Sequence, residues 1–342
     1  MRAIIKSQPK PGFEFVDDYP QPDPGTTDVV VKVHSASICG TDRELYDWSA
    51  SGQAFGSTLP VVQGHEGSGT VVAVGTGVSG FNVGDRVAFE SHVVCGSCRE
   101  CRSNRAEFCP RTKILGMHLD GLFAEYAAIP AHACYPLPDT IDLECGALME
   151  SAGVAAHAMQ RTDFRVAGSN VLVSGLGPVG LAIGMMARRL GAKHVFGIEP
   201  NEYRRSFAED FGITTLAPGD QSPKTMFDVD GFDVSFEASG ARGTLPTLLE
   251  NASTDSIVMA IAHPGAEVPV EVSKHINKRG VVLQGIFGRK IWESWELLAD
   301  LQKEQVIDLK EFITHRVKLE DYDNAMDLLH GDACKVLFQP AL

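Results

Sequence analysis

Short runs of β-branched and other apolar residues, separated by Gly, Pro and Asp, occupy the first 150 positions of the chain. Two such runs lie at 29–33 and 69–75, and residues 80–88 combine a turn composition with a further apolar run. Runs of this length bounded by turn residues are typical of strands. Small and apolar residues from about 147 to 160 predict a helix. We therefore expect a β-rich first domain whose last helix leads toward a second domain.

After residue 170 the pattern changes to alternating strands and helices. Residues 171–174 and 195–199 predict strands, and 178–190 predict the helix between them, which makes one βαβ unit. Further strands are predicted at 232–237, 256–261 and 281–286. A helix is predicted at 292–302, and the last forty residues are expected to return to the first domain. With 342 residues the chain is long enough for two domains of about 150 residues each.

The charge of the chain narrows the classes of partner. The net charge of −14 argues against nucleic acid or an anionic membrane as a partner, because both would repel the protein. Residues 1–6 lack the apolar stretch of a signal peptide, and the apolar stretch at 171–187 is broken by Gly175, Gly177, Pro178 and Gly180. We therefore expect a cytoplasmic protein, in which clustered thiols more often bind metal than form disulfides.

A glycine motif follows the strand predicted at 171–174. Gly175, Gly177 and Gly180 have the G-x-G-x-x-G spacing, with Pro178 and Val179 inside it, and they open the predicted helix. Such glycines allow a tight turn, close approach of the backbone to a pyrophosphate, and close helix–strand packing. The motif therefore predicts a dinucleotide site.

An acidic residue ends the next predicted strand, nineteen positions after Gly180. This residue, Glu199, can accept hydrogen bonds from the adenosine ribose hydroxyls and would repel a 2′-phosphate, which favours NAD over NADP. Arg204 and Arg205 lie nearby in the chain, and either can stack on the adenine or hold a 2′-phosphate instead.

Four cysteines lie within fifteen residues, at Cys95, Cys98, Cys101 and Cys109. Crowding of this kind is typical of a structural zinc site in which four thiolates fill a tetrahedral shell. The spacing also resembles that of ferredoxin cysteines, but seven residues rather than three precede the last cysteine and no second set is present. Such a zinc has no open position for substrate, so its role would be to fix the loop.

A second metal site is possible at Cys39, His65 and Glu66. A catalytic zinc needs about three protein ligands and one open position. By spacing alone the evidence is weak, since a lone cysteine is usually a core residue and a lone histidine usually a structural one. The surrounding segments, Cys-Gly-Thr-Asp at 39–42 and Gly-His-Glu-Gly at 64–67, strengthen it.

With these segments, the chain resembles the zinc-dependent medium-chain alcohol dehydrogenase family along its whole length. Residues 39–42, 64–66 and 84–87, the four cysteines and the glycine motif occur in family order. The resemblance implies an α/β protein with a GroES-like, β-rich catalytic domain at 1–152, a Rossmann domain with a doubly wound parallel sheet at 153–290, and a return to the catalytic domain at 291–342. The structural zinc would lie in a cysteine lobe at 92–110.

Within the family the chain is most similar to the L-threonine 3-dehydrogenase branch. That similarity is carried by Cys39-Gly-Thr-Asp, 46–48, His92, 285–289, 293–295 and 313–316. It implies hydride transfer from a secondary alcohol to NAD⁺, two zinc ions per chain, and a polar substrate of which L-threonine is the first candidate. Family members usually form dimers or tetramers, so a homo-oligomer is expected.

Individual roles follow from the same resemblance. Cys39 and His65 become catalytic zinc ligands, Glu66 a ligand or a close neighbour of the zinc, and Glu150 matches the remaining acidic ligand position. Thr41 corresponds to the family's proton-relay hydroxyl, and His92 to a position that contacts substrate in threonine dehydrogenases.

One position departs from the threonine branch, which carries a proton-transferring histidine five positions after the ligand cysteine. This chain has Glu44 there, and its carboxylate can also carry a proton if burial raises its pKa. The departure favours the alternative of a polyol, sugar or aminocyclitol substrate. A more distant alternative is a zinc-free quinone-type reductase, a class that generally lacks both metal motifs.

Overall fold

The structure is a computed structural model that describes residues 1–219, 221–329 and 331–340. Its strands are, in chain order, β1 (Ala3–Lys6), β2 (Glu14–Val16), β3 (Asp28–Ser37), β4 (Val61–Val62), β5 (Glu66–Val74), β6 (Arg86–Phe89), β7 (His92–Val93), β8 (Lys113–Ile114), β9 (Tyr126–Pro130), β10 (Cys134–Pro136), β11 (Asn170–Ser174), β12 (His194–Ile198), β13 (Thr214–Leu216), β14 (Phe232–Glu237), β15 (Ala252–Ala260), β16 (Val282–Gly285), β17 (Ile313–Val317) and β18 (Lys335–Phe338).

The α-helices are α1 (Gly40–Asp47), α2 (Ala50–Ala54), α3 (Arg99–Arg102), α4 (Leu143–Arg161), α5 (Pro178–Arg189), α6 (Glu202–Glu209), α7 (Pro223–Phe227), α8 (Thr244–Asn251), α9 (Glu293–Lys303) and α10 (Tyr322–Leu328). Short 3₁₀ turns and one π-helical turn join some of them, at Ala106–Phe108, Ala131–Ala133, Val272–Ile276, Asn277–Arg279, Leu309–Phe312 and Leu319–Asp321. Within the part of the chain that the structure describes, no helix is both long and apolar enough to cross a bilayer.

The chain divides into two compact units. The first contains Met1–Ser151, Lys290–Trp295 and the segment from Asp308 onward, and the second contains Ala152–Arg289 and Glu296–Ile307. The bounds predicted at 1–152, 153–290 and 291–342 remain a prediction. The segment at 296–307 groups with the second unit, whereas the sequence pattern assigned it to the return of the chain.

In the first unit the strands form three sheets. The largest has the order β10-β6-β5-β3-β18-β17, with β9 also paired to β3, and the others are β2-β1-β4 and β7-β8. Strand β3 pairs with three neighbours, and its apolar run Val29–Val31 is buried without alternation, so both faces of the strand are covered there. The rings of Phe123 and Phe338 meet edge to face, with their centroids 4.8 Å apart, in the core of this unit. The predicted β-rich domain is confirmed.

In the second unit six strands form one parallel sheet with the order β13-β12-β11-β14-β15-β16. This is the doubly wound arrangement in which the strand order reverses between β11 and β14, and ligands bind outside the carboxyl ends of the strands at that point. The predicted strands correspond to β11, β12, β14, β15 and β16. Strand β13 was not predicted, because its three residues are too short to give a periodic pattern.

A partly exposed ion pair joins the start of α4 to β17 in the first unit. The guanidinium of Arg316 on β17 donates to both carboxylate oxygens of Glu144, each at 2.7 Å, and the amide of Gln339 donates at 2.8 Å. The hydrogen bond from Arg316 lowers the pKa of Glu144 below its ordinary value. A carboxylate with a lowered pKa in the folded state stabilises the protein above the pKa of the unfolded chain, and that contribution disappears as the pH falls through the lowered pKa.

We therefore expect Glu144→Gln to lower the free energy of unfolding by about 1 kcal/mol at neutral pH. The difference from the wild type should shrink as the pH falls below about 4.3, where the carboxyl group becomes protonated in the unfolded chain. Urea denaturation at several pH values measures it. Glu320→Gln serves as a control, since the carboxylate of Glu320 is 41% exposed and lies 3.8 Å from Arg2. Equal effects of the two substitutions would contradict this expectation.

Candidate functional site

The four clustered cysteines lie in the loop between β7 and β8, and Cys98 caps the N-terminus of α3. Their Sγ atoms are separated by 3.4 Å (Cys98–Cys101), 3.6 Å (Cys95–Cys109), 3.8 Å (Cys98–Cys109) and 3.9 Å (Cys95–Cys101). A tetrahedral zinc with Zn–S bonds of about 2.3 Å has S···S edges of about 3.8 Å. The four thiols therefore fit one zinc ion, and they lie too close together to hold a multinuclear iron–sulfur cluster.

Backbone amides already favour a thiolate in this group. Hydrogen bonding from the backbone of Ser97 lowers the pKa of Cys95 to about 5. Burial acts in the opposite direction on Cys101 and raises the pKa of its thiol to about 12. The surroundings of the four cysteines therefore favour the thiolate form at some of them and not at others. Binding of a metal ion would complete the deprotonation.

Cys39, His65 and Glu66 also come together, with one candidate ligand atom from each within 4.8 Å of the others. The pairing of β3 with β5 produces this proximity, because Ser37 at the end of β3 lies opposite Glu66 at the start of β5. Cys39 follows β3 by two residues and His65 directly precedes β5. The antiparallel register thus joins two motifs that are about 25 residues apart in the chain.

Asp42 holds the imidazole of His65. Its carboxylate is fully buried, accepts the backbone N–H of Cys39 at 2.8 Å, and lies 3.1 Å from Nδ1 of His65. Burial by itself lowers the pKa of His65, but the charge of Asp42 outweighs it and raises that pKa well above the ordinary value. A carboxylate at Nδ1 keeps the proton on that nitrogen and leaves Nε2 as the ligand atom, a common arrangement around metal-binding histidines.

Glu66 is buried with one oxygen bound and the other open. Its Oε2 accepts hydrogen bonds from Nζ of Lys335 and from the hydroxyl of Ser37. Burial alone raises the pKa of Glu66, and the ammonium of Lys335 reverses this and holds the pKa below the ordinary value. Among the described residues Oε1 is buried without a hydrogen-bond partner. An ionised, buried oxygen with no partner has the chemistry of a metal ligand, so this group of residues fits a zinc ion.

Glu150 lies outside the group formed by Cys39, His65 and Glu66 in the described part of the chain. It is buried on α4, and its Oε1 accepts a 2.5 Å hydrogen bond from the hydroxyl of Ser91. The hydroxyl of Ser151, the next residue, donates to Oε2 of Glu66 at 3.4 Å, so Glu150 lies near this site. Its role as a zinc ligand remains a prediction.

The remaining predicted residues of this unit lie on α1 and β7. Thr41 and Glu44 both belong to α1, directly after Cys39. The carboxylate of Glu44 accepts a hydrogen bond from the hydroxyl of Ser49, which in turn accepts the backbone N–H of Gly52 and so caps α2. Glu44 therefore has a structural partner in addition to any part in proton transfer. His92 is half-buried and begins β7.

The glycine motif of the second unit connects β11 to α5. Gly175 has φ of +86°, and a Cβ there would lie 2.8 Å from the backbone of Ser239. A Cβ at Gly180 would lie 1.8 Å from the carbonyl oxygen of Gly175, so helix and strand pack at a distance that only glycine permits. Space around Gly177 is open, which leaves room for a ligand at the N-terminus of α5, whose first turn contains Pro178 and Val179.

Glu199 lies just beyond β12 at the edge of a cavity of about 570 Å³. Its two oxygens accept the backbone N–H groups of Leu176 at 2.8 Å and of Asn201 at 3.0 Å, and it is 4% exposed. Arg205 donates to the carbonyl oxygens of Glu199 and Pro200 at 2.9 and 2.7 Å. The cavity is lined by residues that include Gly175, Gly177, Glu199, Arg204, Ser239 and Thr244.

Three residues around Glu66 and His65 were not singled out from the sequence as parts of the site, namely Ser37, Asp42 and Lys335. Asp42 had a local signal, because it is three residues after Cys39 and makes a capping box with the start of α1. Lys335 had none, since it is 269 positions from Glu66 and reaches it only through the pairing of β18 with β3.

Comparison with known proteins shows which family the chain is similar to. Residues 25–139 match the family model of the alcohol dehydrogenase GroES-like domain, and residues 178–304 match that of the zinc-binding dehydrogenases. The L-threonine 3-dehydrogenase of Shewanella sediminis is 35% identical over 343 residues, which covers 98% of this chain and 99% of the relative.

Two solved structures extend the similarity to the whole fold. A short chain alcohol dehydrogenase from Escherichia coli CFT073, complexed with NADH, is 25% identical with a TM-score of 0.89 and 99% coverage of both chains. A zinc-binding dehydrogenase from Sinorhizobium meliloti 1021, bound to NADP, is 29% identical with a TM-score of 0.86 and 99% coverage of both chains. The predicted α/β architecture and the predicted family are confirmed, and the chain belongs to the zinc-dependent medium-chain alcohol dehydrogenase family.

Proposed function

We propose that this enzyme oxidises the secondary hydroxyl of a polar substrate to a ketone with NAD⁺ as hydride acceptor, and that L-threonine is its substrate. The observation that carries the proposal is the group Cys39, His65 and Glu66, whose ligand atoms lie within 4.8 Å of one another. L-threonine is chosen because relatives that are 35% identical over nearly the full length of both chains carry the name L-threonine 3-dehydrogenase.

We place the catalytic zinc at Cys39 and His65, with Glu66 and Glu150 as its acidic ligands or close neighbours, and a structural zinc at the four cysteines of the lobe. Zinc held by one thiolate, one imidazole and carboxylates acts as a Lewis acid that lowers the pKa of an alcohol. The protein contributes the orientation of the ligands: Asp42 fixes the tautomer of His65, and Lys335 holds one oxygen of Glu66 so that the other stays available.

Proton transfer in this proposal begins at the hydroxyl of Thr41, which accepts the alcohol proton and passes its own proton on toward solvent. Glu44 lies three residues after Thr41 on α1. Residues three apart share one face of a helix, so the two side chains are neighbours. Its hydrogen bond with Ser49 orients the carboxylate. His92 contacts the polar part of the substrate.

We assign NAD to the cavity of the second unit, held by Gly175, Gly177, Pro178, Val179, Gly180, Glu199 and Arg204. The support is the open space at Gly177 beside a helix N-terminus and the buried carboxylate of Glu199. A 2′-phosphate beside that carboxylate would place two negative groups in a poorly solvated site, which is costly. NADP is therefore expected to bind more weakly than NAD.

The domain bounds 1–152, 153–290 and 291–342, a cytoplasmic location and a homo-oligomeric state are part of the same proposal. The location is supported by the cysteines, all of which are free thiols. The oligomer is supported by apolar side chains exposed along one segment that includes β16, namely Val272, Val282, Leu283 and Phe287. Sedimentation equilibrium measures the number of chains, and a dimer or tetramer is expected.

A substrate panel tests the activity. The purified enzyme is incubated with NAD⁺ and L-threonine, a hexitol, a vicinal diol or an aminocyclitol, and NADH is followed by its absorbance. We expect the highest kcat/KM with L-threonine and no NADH from O-methyl-L-threonine, which has no hydroxyl hydrogen to lose. NADP⁺ in place of NAD⁺ is expected to give a lower kcat/KM.

The alternative substrates have one specific observation in their favour, the carboxylate of Glu44 at a position where the threonine branch carries a histidine. Activity confined to the hexitol, the diol or the aminocyclitol would overturn the assignment of L-threonine. It would not contradict zinc- and NAD-dependent oxidation of an alcohol. Reduction of a quinone with no oxidation of any alcohol would overturn both.

A further inference from the structure

A buried carboxylate that the proposed mechanism does not use lies next to His92. Glu90 directly follows β6, belongs to the first unit, and is 1% exposed. Removing a carboxylate from water is costly unless donors surround it. The hydrogen-bond donors around Glu90 therefore indicate its role.

The first donor comes from a distant part of the chain. The indole Nε1–H of Trp295 donates to Oε2 of Glu90 at 2.9 Å, although the two residues are 205 positions apart. Trp295 is fully buried and packs against the rings of Tyr135 and Trp292, with centroid distances of 5.3 and 5.8 Å. An aromatic ring fixed on two sides has little freedom to move, so one oxygen of Glu90 is held by a rigid donor.

The second oxygen faces His92. The backbone N–H of His92 donates to Oε1 of Glu90 at 3.0 Å, and the ring Nδ1 of His92 lies 3.6 Å from the same oxygen. An ionised carboxylate can only accept hydrogen bonds, so the ring nitrogen that faces it is stabilised as N–H. In the neutral ring the other nitrogen, Nε2, is then an acceptor.

The residue between them connects this segment to the proposed zinc site. The hydroxyl of Ser91 donates to Glu150 at 2.5 Å, and the hydroxyl of Ser151, the next residue on α4, donates to Glu66 at 3.4 Å. The segment 90–92 therefore lies close to the acidic residues of that site. Glu90 and His92 flank Ser91, so a small displacement of Glu90 would also move His92.

We propose that Glu90, held by Trp295, is a positioning residue that presents Nε2 of His92 as a hydrogen-bond acceptor to the substrate. This rests on the proposed function, in which His92 contacts substrate, and it narrows the substrate class. An acceptor at that point selects alcohols that carry a donor beside the reacting carbon, such as a vicinal ammonium or a second hydroxyl. A plain secondary alcohol gains nothing from it.

A double-mutant cycle tests the proposal through catalysis. Glu90→Gln, His92→Ala and the double variant are compared with L-threonine and with 2-butanol, with NAD⁺ in both cases. Glu90→Gln is expected to lower kcat/KM for L-threonine about tenfold, mainly through KM, as for the loss of a hydrogen bond to a charged group. It should change kcat/KM for 2-butanol less than twofold. In the His92→Ala background the effect of Glu90→Gln should disappear.

Two aromatic variants separate the effect of the hydrogen bond between Trp295 and Glu90 from the effect of ring packing. Trp295→Phe removes the indole donor and is expected to raise KM for L-threonine several-fold. Trp292→Phe trims the same aromatic cluster, leaves the bond between Trp295 and Glu90 in place, and should leave KM unchanged. Equal losses for both substrates, or an undiminished effect of Glu90→Gln in the His92→Ala background, would show a purely structural role and overturn the proposal.

A readout without turnover keeps this test separate from the proposed function. Nitrogen-15 NMR of the histidine rings is expected to show His92 protonated at Nδ1 in the wild type and a changed tautomer ratio in Glu90→Gln. A wild-type His92 protonated at Nε2 would overturn the proposal whatever the substrate is. If the tautomer is as expected and the wild type oxidises no alcohol, the proposed function fails and the role of Glu90 toward His92 stands.

Discussion

Replacing Cys39 by serine is expected to lower kcat/KM for alcohol oxidation by at least about a thousandfold, because zinc contributes several kcal/mol to the stabilisation of developing charge. A serine hydroxyl is not deprotonated near neutral pH, so it cannot replace the thiolate as a ligand. His65 and Glu66 would remain in place, since Asp42 and Lys335 hold them independently of the metal. The zinc content should fall from two ions per chain to one.

Cys145→Ala is the matched control for this substitution. Cys145 is a buried thiol in the first unit that belongs to neither metal group, and burial raises its pKa to about 12, so the thiol stays protonated. This variant should keep two zinc ions and most of its activity. Full turnover by Cys39→Ser with one zinc remaining would mean that the reaction does not depend on the Cys39 site.

Replacing Cys101 by serine is expected to act on stability instead of chemistry. The lobe is a loop with little apolar burial of its own, and Phe108 within it is 53% exposed. Zinc binding to small cysteine sites contributes about 10–16 kcal/mol to folding in isolated peptides, so its loss should release the loop. We expect a thermal midpoint lower by at least about 10 °C. The initial rate should be close to that of the wild type, and the activity should then be lost with time.

Ser103→Ala is the control within the same lobe. Its hydroxyl donates to the carbonyl oxygen of Arg99 at 2.8 Å, and its removal leaves all four thiols in place. Little change in midpoint is expected. Thermal unfolding and zinc analysis of the two variants test this prediction. A Cys101→Ser protein with an unchanged midpoint would show that the loop does not need the metal.

The parts of the molecule that sequence predicted well are those whose residues are close together in the chain. The glycine motif, the strand before it and Glu199 lie within one βαβ unit, so local geometry fixes their relationship. The four cysteines likewise lie within one loop. In both cases the spacing of residue types already carries the geometry, and the structure adds distances.

The parts that sequence could not predict depend on pairing between distant segments. Lys335 reaches Glu66 only because β18 pairs with β3, and Trp295 reaches Glu90 across more than half of the chain. Neither residue has a neighbour in sequence that indicates its partner. The family pattern implies that Glu150 is a zinc ligand, and that role remains a prediction, while the structure shows a hydrogen bond from Ser91 to its carboxylate. Which acidic residue completes the zinc site is therefore decided by side-chain positions that no pattern encodes.

We propose that the reactive metal of this enzyme lies at Cys39, His65 and Glu66, and that it serves oxidation of a polar secondary alcohol by NAD⁺. The most direct test is the rate of NADH formation from L-threonine and NAD⁺ by the wild type and by Cys39→Ser, each with its zinc content determined. We predict NADH formation by a wild type with two zinc ions per chain, and none above background by a variant that keeps one. Equal rates for the two proteins would contradict the claim.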